Sequence, residues 1–186
     1  MRTLAITENI TVDGSIEMLT NWFDPQRQAD ADKNDLLEEQ QRQGGQADAM
    51  LLGRHTFEAF RDYWPKQIDD ETGITEYLNQ VQKYVVTSTL TDPQWANSTV
   101  LRGDPVEEVT RLKQHDGREI MLTGSISLAH AMIEAGLVDE YRLFVYPTVQ
   151  GGGRRLFPDG YELSRLKLLG SNAFRSGITL QRYAPA

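Results

Sequence analysis

Twice in this chain a compact apolar run stops near a glycine, and a helix-forming stretch rich in hydroxyls or bases starts at once. Ala49-Met50-Leu51-Leu52 leads into Gly53-Arg54-His55-Thr56, and Ile120-Met121-Leu122 leads into Thr123-Gly124-Ser125-Ile126-Ser127. Short apolar runs bounded by turn-formers read as strands buried on both faces. Such strands belong in parallel sheets covered by helices on both sides, which fixes the fold class as α/β.

The rest of the chain supports that alternation. Residues 4–6 read as a first strand, followed by a loop over 10–24 that contains the turn dipeptide Asp13-Gly14. Pro25 opens a polar helix that runs to about Arg42, where Gly44-Gly45 is expected to stop it. A helix follows over 56–63, with Phe57 and Phe60 one turn apart and Pro65 at its end. Strands are predicted over 84–87 and 99–101, then a helix with Pro105 in its first turn, and then a helix over 125–135 closed by Gly136. The last fifty residues change character. Strands at 141–149, 163–169 and 178–183, separated by glycine-containing turns, suggest an antiparallel addition to the sheet edge. Neither repeats nor a low-complexity linker interrupt the 186 residues, so one domain over 1–186 is expected.

Composition narrows the function classes. The net charge is −8 and no stretch is rich in Lys or Arg, which argues against nucleic acid as a partner. No window approaches the roughly 18 apolar residues of a membrane span, and the N-terminus lacks a secretory apolar run, so a cytoplasmic protein is expected. There is no cysteine, which removes disulfides, thiolate metal sites and cysteine nucleophiles together. His55, His115 and His130 are far apart without carboxylates at ligand spacing, so no metal site is expected. The G-x-S-x-G elbow and the Walker A motif are both missing.

What remains is phosphate chemistry at strand ends. Backbone N–H groups at a helix N-terminus attract phosphate, and a glycine lets it approach the backbone closely. Gly53, Arg54, His55 and Thr56 form one such turn. Gly124, Ser125, Ile126 and Ser127 form the other. Each alone is better read as an ordinary capped helix start. Thr87-Ser88-Thr89 and Arg102 follow the next strands and could hold a ribose 2′-phosphate, although loop hydroxyls are usually only turn-formers. After the first strand, Asp13 could bind substrate or position water and Ile16 could pack on a nicotinamide ring.

Together these residues resemble the dihydrofolate reductase superfamily, in its riboflavin-biosynthesis reductase branch. The matching stretches are Val12-Asp13-Gly14, then Met50 through Glu58 around Gly53-Arg54-His55-Thr56, then Tyr84-Val85-Val86-Thr87-Ser88, and then Gly124-Ser125 with Leu128. They continue through Gly136-Leu137-Val138-Asp139-Glu140-Tyr141-Arg142-Leu143 and Pro147 to Gly151-x-Gly153-x-x-Leu156-Phe157. The resemblance implies a dihydrofolate reductase-like fold, NADPH as hydride donor, a small heterocyclic substrate and a homodimer built on the C-terminal strands. It also implies cofactor contacts from Asn9, Ile16, both glycine turns, Thr87, Ser88 and Arg102. The implied activity is reduction of 5-amino-6-(5-phosphoribosylamino)uracil, with dihydrofolate reduction or non-catalytic NADP(H) binding as alternatives. The deaminase half of the bifunctional relatives has no counterpart here. Asp13 and Asp24 are the candidate catalytic carboxylates, in a loop whose Glu8, Asp13, Glu17 and Asp24 are acidic.

Overall fold

The computed structural model describes residues 1–23, 33–163 and 165–186. Eight strands form one sheet: β1 (Thr3–Thr11), β2 (Ala47–Gly53), β3 (Gln82–Val86), β4 (Ser98–Leu101), β5 (Glu119–Leu122), β6 (Glu140–Tyr146), β7 (Leu166–Ala173) and β8 (Thr179–Pro185). Their order is β4-β3-β2-β5-β1-β6-β8-β7. All pairings from β4 to β6 are parallel, and β8 and β7 close one edge antiparallel. Among the described residues the helices are α1 (Asn34–Gln46), α2 (Arg54–Tyr63), α3 (Ile74–Gln80), α4 (Pro105–Gln114) and α5 (Ile126–Glu134), with a 3-10 turn at Trp64–Lys66.

The apolar run in β2 shows why both faces are covered. Ala49 and Leu51 pack under α4 and α5, against Val109, Leu112, Ala129 and Met132. Met50 and Leu52 pack on the other face with Phe57 of α2, Trp64 and Leu78 of α3. Leu36 of α1 joins Phe144, Tyr146 and Leu180 further along that face. Each such side chain, taken fully out of water, contributes roughly 1.5–3 kcal/mol. Among the described residues no helix is long and apolar enough to cross a membrane.

Several boundaries differ from the sequence reading, each for a physical reason. β1 runs five residues past Ile6, through Thr7, Glu8 and Asn9, because β6 pairs with it as far as Thr11, whereas the pairing with β5 ends at Ile6. The helix expected to stop at Gly44-Gly45 passes through them to Gln46. A Cβ on Gly44 would stand 3.3 Å from the Tyr77 ring, so the glycine lets α3 approach closely. The expected helix start at Pro25 lies outside the described residues. α3 carried no predicted element, and it buries only Leu78. The first strand of the C-terminal segment, β6, pairs parallel to β1, so the antiparallel part begins only at β8.

Two buried cations stand out in the sheet. Arg142 of β6 is 2% exposed and makes paired bonds to Glu119 (2.7 and 2.6 Å) and Glu140 (3.0 and 3.1 Å). Arg182 of β8 also donates to Glu140 at 2.7 Å. Lys83 of β3 is fully buried, and its Nζ donates to the carbonyls of Leu78 (2.6 Å) and Val81 (2.8 Å) above the Trp95 ring. Burial pulls the Lys83 amine down to about 8.

Candidate active site

In a parallel sheet, strand ends and helix starts gather at the carboxyl edge, and ligands bind there. The two glycine turns meet at this edge. The Gly53 N–H donates to Ser125 Oγ at 2.8 Å, and the Ser125 N–H donates to Thr56 Oγ1 at 2.9 Å. Gly124 has φ +57, and a Cβ there would stand 3.0 Å from Thr56 Cγ2 and Oγ1. Ser125 itself adopts a left-handed backbone, φ 55 and ψ 50, just before α5. That conformation costs a non-glycine residue about 1–2 kcal/mol, and the two cross-turn bonds hold it in place. The first-turn amides of α5, at Ile126 and Ser127, have no carbonyl within the helix to bond. They lie at the positive end of the helix dipole.

Around this pair, Arg54 is half-buried and weakly engaged, with Nη1 3.5 Å from Glu58 and Nη2 3.4 Å from the ring of His55. His55, Ser88 and Ser127 are exposed. The Thr87 hydroxyl accepts from the N–H groups of Thr89 (3.2 Å) and Leu90 (3.3 Å), which shapes the loop after β3. Arg102 donates to the carbonyls of Leu90 (2.9 Å) and Thr91 (3.4 Å), so it braces that same loop.

The loop after β1 is organised differently from the sequence reading. The Asp13 carboxylate accepts from the Thr11 hydroxyl (2.6 Å), Gln150 N–H (3.1 Å) and Gly151 N–H (2.7 Å). Those bonds, the Thr11 hydroxyl foremost, hold its pKa at about 2. Asp13 therefore anchors the turn after β6 and stays ionised at neutral pH. Ile16 is 5% exposed, within the core beneath α5. Asp24 lies outside the described residues.

Three features escaped the sequence reading. Gln150 ties the loop together: its Oε1 accepts from Trp22 Nε1 (2.9 Å) and Leu19 N–H (3.1 Å), and its Nε2 donates to Ser15 Oγ (2.8 Å) and the Glu17 carbonyl (3.0 Å). A lone glutamine beside a glycine run gives no periodic signal. Glu8 is 5% exposed on β1 and its Oε1 has no partner. Burial pushes its carboxyl well above the usual carboxylate range, and a hydrogen bond from the Gly124 N–H opposes that shift. The group sits beside the second turn, at the Gly124 N–H.

The third is a cavity of about 300 Å³ on the face covered by α1, α2 and α3. Asn9 and Thr7 of β1 and Thr123 of the β5 end line it, with Met50, Phe60, Trp64, Gln43 and Tyr77. Thr123 immediately precedes Gly124, so the cavity and the glycine turns are contiguous along β5. Of the predicted residues, Gly53, Thr56, Gly124 and Ser125 are thus brought together, and Asn9 reaches the cavity. Asp13 bonds to the turn at Gln150 and Gly151, and Ile16 packs in the core cluster that includes Leu128.

A mostly parallel eight-stranded sheet with this edge and this antiparallel border is the dihydrofolate reductase-like fold. The chain belongs to the RibD C-terminal domain family, whose model matches residues 2–180. It is similar to the uncharacterized protein YyaP of Bacillus subtilis (strain 168), 35% identical over 136 residues, covering 72% of this chain and 71% of that protein. It is also similar to YwjB, an uncharacterized protein of the same organism, 26% identical over 133 residues and 72% and 71% of the two chains. A crystal structure of a candidate riboflavin biosynthesis protein from Shewanella sp. PV-4 matches with TM-score 0.69 at 16% identity, covering 99% of each chain. A pyrimidine reductase-like protein from Corynebacterium diphtheriae matches with TM-score 0.64 at 15% identity, covering 99% of this chain and 92% of that one.

Proposed function

We propose that the chain is an NADPH-dependent reductase of a pyrimidine- or pteridine-like heterocycle. One observation carries the reading: two glycine turns, hydrogen-bonded to each other at the carboxyl edge, lie next to a cavity that starts one residue away at Thr123. Bound NADPH would supply the hydride. The residues present fit its phosphates, because a Cβ at Gly124 would crowd the turn and the α5 amides lack internal acceptors. In this reading Ile126 and Ser127 take the pyrophosphate, Gly53 and Thr56 frame it, and Arg54, Ser88 and Arg102 surround the 2′-phosphate. The core around Asn9, Thr123 and Trp64 excludes water from the reacting face. Asp13 positions the loop and donates no proton.

The assay follows loss of NADPH absorbance with 5-amino-6-(5-phosphoribosylamino)uracil, dihydrofolate and phosphate-free pyrimidines and pterins. Oxidation of NADPH coupled to one of these supports the reading. Tight NADPH binding with no turnover across the panel would instead make the chain a non-catalytic NADP(H)-binding protein. Arg54→Ala is expected to weaken NADPH about 10–100-fold, the worth of a charge-assisted phosphate contact, with little change for NADH. Equal losses for the two cofactors in calorimetric titrations would remove Arg54 from the 2′-phosphate.

A further inference from the structure

Ser125 holds φ 55 and ψ 50, a backbone that glycine adopts freely and serine adopts only under strain. Strain of this kind persists where the surrounding structure needs that side chain at that point. Ser125 occupies the N-cap position of α5, where a serine hydroxyl ordinarily accepts from a first-turn N–H of its own helix. Here it makes no such bond. Its Oγ accepts instead from the Gly53 N–H at 2.8 Å, at the end of β2 and 72 residues away in sequence.

The contact is reciprocal. The Ser125 N–H donates to Thr56 Oγ1 at 2.9 Å, in the first turn of α2. One residue of the second turn is thus fastened to the first turn at two points, on either side of Arg54 and His55. The pairing of β2 with β5 ends at Leu51 and Leu122, so these two bonds continue the join beyond the sheet. Both glycines make room for it. A Cβ on Gly53 would stand 3.4 Å from Ser125 Cβ and Oγ, and one on Gly124 would stand 3.0 Å from Thr56.

We infer that Ser125 is a positioning residue that locks the two glycine turns at one fixed span, so that the site favours a ligand presenting two phosphoryl groups at that span over ligands presenting one. The inference rests on the reductase reading, in which Arg54 meets the 2′-phosphate and the α5 amides meet the pyrophosphate. Two subsites held rigidly act as a chelate, because binding at the first raises the effective concentration at the second. A loosened joint keeps each subsite and loses that gain.

The test titrates the parent, Ser125→Ala and Ser125→Gly with NADPH, 2′-AMP and ADP, by calorimetry and, for the weaker fragments, by amide chemical shifts. Both variants are expected to bind NADPH about 10-fold more weakly than the parent. Their affinities for 2′-AMP and for ADP are expected to stay as in the parent, because each fragment engages one turn. Ser125→Gly should melt at a higher temperature than Ser125→Ala, because glycine takes φ 55 without strain. The loss of NADPH affinity is then shared by two variants of different stability, which a merely structural serine would not produce. Ser125→Gly binding NADPH as tightly as the parent would overturn the inference. So would an ADP loss equal to the NADPH loss, which would make Ser125 a direct phosphate ligand, or equal losses for all three ligands, which would make it an ordinary structural residue. A parent that binds no NADPH would sink the reductase reading and this inference with it, whereas unchanged NADPH binding by Ser125→Gly sinks this inference alone.

Discussion

Arg142→Ala is expected to lower the free energy of unfolding by about 3–5 kcal/mol, the cost of stranding buried charges. Arg142 sits between Glu119 and Glu140, whose side chains are 12% and 15% exposed. Glu140 keeps a second partner in Arg182, but Glu119 bonds to no other cation among the described residues. Removing the guanidinium therefore leaves Glu119 uncompensated at the start of β5 and opens a void in β6. A domain of this size is stable by only about 5–15 kcal/mol, so the change takes a large share. Urea denaturation should show a lower midpoint with an unchanged slope. A shift under about 1 kcal/mol would mean that the cluster is solvated and energetically like a surface pair.

The second large effect is on ligand binding. Gly124→Ala places a Cβ 3.0 Å from Thr56, at φ +57 where a side chain is strained. Thr56 must move, which disturbs the hydroxyl that accepts from the Ser125 N–H. The strain costs about 1–2 kcal/mol of stability. The proposed pyrophosphate path is narrowed as well, and NADPH affinity is expected to fall by about 10–100-fold, the worth of one or two charge-assisted contacts. Gly151→Ala is the comparison, because it is also left-handed (φ +79) but meets nothing within 4 Å. It should show backbone strain without the loss of NADPH. Equal NADPH affinities for the two variants would remove the Gly124 turn from the site.

The sheet and the two turns were legible because their signals are local. An apolar run ending at a glycine marks a parallel strand entering a helix, and it did so at Gly53 and at Gly124. The C-terminal residues around Gly151 and Gly153 carried the resemblance for a similar reason, since their spacing is set by one turn. Signals that depend on distant partners were not legible. Nothing local in the sequence pairs Glu119, Glu140 and Arg142, and only strand order brings them together. Thr7, Glu8 and Asn9 hid the second half of β1, because polar residues in a central strand break the apolar pattern that marks a strand. Gly44 looked like a stop and is instead a contact with Tyr77. The cavity is the extreme case. Its polar atoms come from β1, α1 and α3, and α3 buries one side chain, too weak a stripe to predict.

The most direct test of the account is an amide chemical-shift titration of 15N-labelled protein with NADPH. The account predicts saturable shifts that are largest at Gly53, Thr56, Ser125, Ile126 and Ser127, with the Trp64 indole responding as the nicotinamide nears the cavity. Absence of saturable shifts, or shifts centred away from the carboxyl edge of β2 and β5, would contradict it.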